Sequence, residues 1–132
     1  MVRIWNVHPK HLDDERLLGE HRELHAIVGA ITKYYKGEKA GWQRHPEAKK
    51  FYKKLGYLKQ RHAMLVREFR ARGWQSGRLH ETPLDFRGVP RWALSSKFRI
   101  TRAMLRKDAA DLRRRWRREG KSGGRIALPG NL

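Results

Sequence analysis

Residues 13–35, DDERLLGEHRELHAIVGAITKYY, hold the pattern that decides the fold. Within them Leu17, Leu24, Val28, Ile31 and Tyr35 recur at helical spacing and share one face of a helix that turns about 100° per residue. Asp13, Asp14 and Glu15 stand where the positive pole of a helix start favours acids, and Gly37 supplies a residue able to end it. The spacing predicts a helix over 13–35, whose apolar face the rest of the chain has to cover.

Two further stripes serve that purpose. Pro46 stands where a first helical turn tolerates proline, and Phe51, Leu55, Leu58, Leu65 and Phe69 follow at helical spacing up to Gly73, so a second helix is expected from Pro46 to Gly73. A third is expected from Lys97 to Glu119, with Leu105, Ala109, Leu112 and Trp116 on one side and arginines around the rest. GEKAGWQRH, residues 37–45, reads as an exposed basic loop, and residues 74–94 as an ordered loop pinned by Trp74, Phe86 and Trp92. With no internal repeat and no strand pair, the expectation is an all-α chain, a single compact domain over residues 1–132 of three main helices with long ordered loops. Residues 119–132 read as a flexible or draped basic tail. The arginine run LRRRWRREGKSGGR, residues 112–125, is expected to be helical only when phosphates neutralise it, since neighbouring like charges repel.

The charge narrows the partner. Against 32 Lys and Arg stand 13 acidic residues, a formal charge of +19 over 132 residues, while a hydrophobic fraction of 39% still permits a core. Such a chain binds a polyanion, but phosphate contacts carry no sequence information, so a basic RNA binder, an architectural DNA protein, a binder of anionic membranes and an enzyme stand level on composition. The absence of cysteine excludes disulfides, thiolate zinc sites and thiol nucleophiles, and is compatible with a reducing compartment. The opening MVRIWNVHPKHLDDE lacks the apolar run of a signal peptide, and no segment has the roughly 20 apolar residues of a membrane span. A soluble, cytoplasmic protein is expected, nucleoid-associated in a bacterium.

On the wheel of the first helix Gly19, Ala26 and Ala30 form a stripe almost without side chains, bordered by Glu23 near Arg16 on one side and by Arg22 on the other. Such a slot admits a backbone between a carboxylate and a guanidinium. It equally suits tight packing of another helix beside solvated charges, and wheel geometry alone favours the packing reading. His21 and His25, four apart, and the close pair His8 and His11 each offer two imidazoles, but neither pair has a clear third ligand and H-R-E-L-H is not the zincin motif, so no metal and no cofactor are expected. Of the five tryptophans, Trp5 and Trp42 are the candidates for a wedge against an unpaired base.

The segment LLGEHRELHAIVGAI, Leu17 to Ile31, together with VRI at positions 2–4, resembles the pyrimidine dimer DNA glycosylases, the phage-type endonuclease V family, whose helix carries an Arg-Glu-Leu triplet before a Gly-Ala pair. Weaker similarity continues through residues 51–74 and the FRG at Phe86 to Gly88. The resemblance implies three helices with an N-terminal segment threaded between them, and a DNA repair enzyme that combines glycosylase and abasic-site lyase activity on pyrimidine dimers, without metal or cofactor. It implies that Met1 is removed, that the α-amine of Val2 attacks the sugar, that Glu23 is the catalytic carboxylate, and that Arg3 and Arg22 grip phosphates. Arg16 and Ala26 depart from the histidine and arginine that the phage enzyme carries at the DNA-facing end of the site, which bears on lesion choice. With Arg16 at a DNA-facing position, Arg102, Arg106, Arg114 and Arg118 complete the expected DNA contacts. The expected partner is double-stranded damaged DNA, bound by a monomer. The same chemistry on another damaged or modified base is one alternative, and a non-enzymatic basic DNA or RNA binder on this scaffold is another.

Overall fold

The stripe in residues 13–35 forms helix α1, Asp14–Tyr35, in a computed structural model that describes residues 3–38, 45–74 and 82–132. Asp13 caps it, its side chain accepting from the Arg16 backbone N–H at 3.2 Å, with Asp14 and Glu15 in the first turn. Leu17, Leu24, Ile27, Val28 and Ile31 are buried along one face. Beyond Tyr35 the chain turns at Gly37, whose φ of 80° favours glycine.

The second stripe is not one helix. It divides into α2, Pro46–Phe51, and α3, Leu55–Ala71, because the backbone at Lys54 (φ −132°, ψ 34°) leaves the helical region. The break admits a distant segment: Lys54 forms an isolated antiparallel bridge with Leu94, and the Ser95 carbonyl accepts from the Tyr57 N–H at 3.3 Å. That carbonyl partly replaces the side-chain cap α3 lacks. The approach is so close that a Cβ on Gly56 would lie 2.2 Å from the Leu94 carbonyl oxygen, which only glycine avoids.

The last helix, α4, spans Arg102–Glu119 and starts later than the Lys97 expected. Thr101 sets the start, its hydroxyl accepting from the Met104 N–H, while residues 97–100 stay outside the helix and Phe98 packs on Phe51 and Tyr57. The arginine run, expected to need phosphates to become helical, is helical in the protein alone through Glu119 and not beyond, because Gly120 takes a φ of 68° that ends the helix before residues 121–125. The tail is draped: the Ile126 N–H donates to the Lys10 carbonyl, and Arg125 holds Glu68 at 2.9 Å. No strand occurs among the described residues, and none of their helices is long and apolar enough to cross a membrane. In the 74–94 loop Trp74 and Phe86 pack on the core, whereas Trp92 is 60% exposed with its edge on Tyr35, so it anchors little.

The N-terminal segment runs among these helices, with Ile4, Trp5 and Val7 buried. An ion pair holds it: Glu20 on α1 is 0% exposed, Arg61 on α3 is 2% exposed, and two guanidinium nitrogens of Arg61 donate to the two carboxylate oxygens at 2.6 and 2.9 Å. Arg61 also donates to the Val7 carbonyl at 2.7 Å, and Glu20 accepts from the Trp5 N–H at 3.1 Å. The pair thus satisfies backbone groups of a buried segment that is neither helix nor strand. Glu20→Ala strands the guanidinium in the core, and urea unfolding should show a loss of about 3–5 kcal/mol; a loss under about 1 kcal/mol would show the pair to be dispensable.

Candidate active site

Glu23 lies on α1 one turn beyond Glu20, with 23% of its side chain exposed. His45, the N-cap of α2, sits against it, Nε2 to the Glu23 carboxylate at 2.6 Å. The tautomer follows from the cap. His45 Nδ1 accepts from the Glu47 N–H at 3.2 Å, so it carries no proton, and the proton is on Nε2, which donates to Glu23. Glu23 is therefore a partly exposed, oriented carboxylate with one oxygen engaged and the other available.

The N-terminal segment is bonded alongside. The Ile4 N–H donates to Glu47, the residue whose own N–H meets His45, at 3.2 Å, and the Trp5 N–H donates to Glu20. Ile4, Glu47, His45 and Glu23 are thus linked in one chain of hydrogen bonds. On the other side the Asn6 N–H and Arg3 both donate to Asp108 of α4, and Arg3 also reaches Asp111 at 2.7 Å while its guanidinium lies 4.0 Å above the Trp5 ring. Burial raises the Asp108 carboxyl above its ordinary range against the opposing pull of these donors. Val2, the expected nucleophile, lies outside the described residues, as does Trp42. Trp5 is 2% exposed and packed in the core, so it cannot serve as a wedge. Of the small-residue stripe, Ala26 is exposed and Ala30 half-buried against the core; the described part of the segment is received at Glu20 instead.

The arginines fall into two sets. Arg3 and Arg16 are held within the molecule, Arg16 by Asp13 and by a two-pronged pair with Glu119 at 2.6 and 2.8 Å. Arg114 pairs with Asp111 yet stays mostly exposed. Arg22, Arg102, Arg106 and Arg118 are exposed and make no ion pair with a described residue. On α4 the four expected contacts span an arc of about 160°: Arg114 and Arg118 stand opposite Ala109, Leu112 and Trp116, whereas Arg102 and Arg106 lie on the flank next to Ala109.

A sequence model of pyrimidine dimer DNA glycosylase matches residues 2–82. The chain belongs to this family. Membership implies DNA glycosylase activity with DNA as the substrate. The matched stretch takes in the N-terminal segment, α1, α2 and α3, and therefore Glu23 and His45 together; α4 and the tail lie outside it. No protein of curated function matches the chain.

Sequence reasoning singled out Glu23 but missed its partner. His45 falls at the end of a stretch read only as a basic loop, although a histidine directly before the helix-starting Pro46 is a usable capping signal. It missed Glu47 and Glu20 as well, since a carboxylate on a helix reads as surface until the fold supplies buried N–H groups for it.

The contacts that lock Arg16 carry a pH signature. Hydrogen bonds from Arg16 pull the Glu119 carboxyl down to about 2. At Asp13 burial pushes upward, but hydrogen bonds from the Trp116 indole and Arg16 outweigh it and leave the group below its ordinary range. Both folded values are depressed, so the unfolded chain binds protons first. The stability these groups add is present above about pH 4 and lost as pH falls through the folded values. Asp13→Asn removes the charge and keeps one oxygen, enough for the cap on Oδ2 or the indole on Oδ1 but not both, so it should be less stable at neutral pH, and its melting temperature should fall less steeply than the parent's between about pH 6 and pH 2. An identical slope would remove Asp13 from the acid response.

Proposed function

We propose that the chain excises pyrimidine dimers from duplex DNA and nicks the resulting abasic strand, with the α-amine of Val2, after removal of Met1, as nucleophile and Glu23 as the catalytic carboxylate. The observation that carries this reading is the oriented Glu23–His45 pair beside the buried N-terminal segment, in a chain of the pyrimidine dimer glycosylase family.

An α-amine suits the task because its ordinary pKa of about 7.7–8.0 leaves much of it neutral at physiological pH. It attacks C1′, the glycosidic bond breaks with its electron pair leaving on the base, and loss of the amine protons with ring opening gives an imine. The imine acidifies C2′; removal of that proton expels the 3′ phosphate, and water then releases the sugar fragment. Glu23, ionised, stabilises the positive charge that develops on the sugar and relays protons, while His45 keeps its carboxylate in place. Arg22, Arg102, Arg106 and Arg118 take phosphates directly, with Arg114 beside them. Arg3 and Arg16 serve only by exchanging a carboxylate for a phosphate. Because Arg16 is bound to Glu119 and Ala26 offers no donor, a second reading keeps the chemistry but assigns it to another damaged base.

Borohydride trapping on a dimer duplex and on an abasic duplex tests both readings. Adducts on both are expected. An adduct on the abasic duplex alone favours another lesion, and none on either, with Met1 loss verified by mass, leaves a non-enzymatic DNA or RNA binder. Glu23→Gln should bind DNA normally and slow base release by about 10²- to 10⁴-fold. His45→Ala should slow it less, with His45→Gln restoring part through its amide donor. DNA affinity should fall with salt along a log–log slope of about −5, the value for roughly six phosphates, and a flat response would contradict the arginine assignment.

A further inference from the structure

On the flank of α1 turned about 160–200° from Glu23, three histidines meet at the interface with α3. His21 and His25 lie one turn apart on α1, and His62 faces them from α3. Their rings form a triangle with centroids 4.7, 5.0 and 5.2 Å apart. His21 and His62 are buried, the edge of Phe69 closes the inner side against His21, and His25 is half-exposed.

We propose that His21, His25 and His62 bind a borderline divalent transition-metal ion, zinc foremost, which clamps α1 to α3. One ligating nitrogen from each ring lies within 4.8 Å of the other two, and His25 Nε2 is 3.2 Å from His62 Nε2. In a tetrahedral site with nitrogens about 2.0–2.1 Å from zinc, ligand nitrogens stand about 3.3 Å apart. One pair is therefore already at ligand spacing, and the remaining nitrogen has to close by at most about 1.5 Å, within the range of an imidazole rotation. The half-exposed His25 gives the ion a way in and leaves a fourth position for water.

The donor chemistry selects the metal. Three imidazoles without thiolate or carboxylate suit zinc, nickel, copper or cobalt and give magnesium and calcium nothing to prefer. Burial lowers the pKa of His25 and of His62, the latter helped by its histidine neighbour, which favours in these two rings the neutral form that ligates. Arg61, next to His62 in sequence, does not repel the ion at full strength because Glu20 neutralises it. The chain's overall +19 is screened beyond about 10 Å at 0.1 M salt. The third ligand that His21 and His25 lack in sequence is thus supplied by the packing of α3 on α1.

Untagged, chelator-treated protein titrated with Co²⁺ should give the visible bands of one histidine-bound ion per chain, displaced by Zn²⁺ and untouched by Mg²⁺. Zn²⁺ well above its Kd should raise the melting temperature by about 5 °C or more. His62→Asn and His25→Asn should each bind Co²⁺ at least about tenfold more weakly, with His8→Asn as the unaffected control. Should a variant fold poorly, ¹⁵N spectra of the parent decide: Zn²⁺ is expected to shift the ring nitrogens of His21, His25 and His62. Absence of the Co²⁺ bands, unweakened binding in His25→Asn and His62→Asn, or Zn²⁺ shifts confined to His8, His11 or His45 would overturn the site.

Discussion

A buried segment that is neither helix nor strand must find partners for its N–H and carbonyl groups elsewhere, and here carboxylates and one guanidinium provide them. Glu20 takes the Trp5 N–H, Glu47 the Ile4 N–H, Asp108 the Asn6 N–H, and Arg61 the Val7 carbonyl. Every helix contributes one of these groups: α1, α2, α4 and α3 in that order. The Glu20–Arg61 pair stands at the centre because it satisfies the segment while neutralising itself. Without that mutual pairing, two charges so deeply buried would cost more than the hydrogen bonds return.

A net charge of +19 sits on a stable fold because the cations are sorted. Those that bear on the core, Arg3, Arg16, Arg61, Arg72 and Arg125, are each answered by a carboxylate. Others, among them Arg22 on α1, Lys59 and Arg67 on α3 and the exposed arginines of α4, lie at the surface, where solvent and counterions screen them. The field that attracts a polyanion is thus separated from the charges that organise the interior.

Much of this was legible in the sequence, and the misses share a cause. α1 could be read to within a residue at each end because its apolar period, acidic start and glycine stop agree. The division of the second stripe at Tyr52–Lys54 could not, since the apolar spacing runs through the break and the reason for it, Leu94 and Ser95, lies about forty residues away. The same holds for the site. Glu23 was visible by its place on the wheel and by resemblance. His45 and the buried roles of Glu20, Glu47 and Asp108 arise only when distant segments meet. Local pattern reports which residues a helix turns inward; it does not report what waits there.

The contact between Asn6 and Asp108 joins residues 102 positions apart. During synthesis the first residues leave the ribosome long before α4 exists, so the segment that the finished fold buries spends that interval as free chain. The segment is accessible then, before the last helix arrives to hold Arg3 and Asn6. A loop of this length also slows closure. The topology therefore sets an order in time, in which exposure of the N-terminal segment precedes its capture, and a chain truncated before Asp108 would leave Arg3 and Asn6 uncaptured however well α1 and α3 had formed.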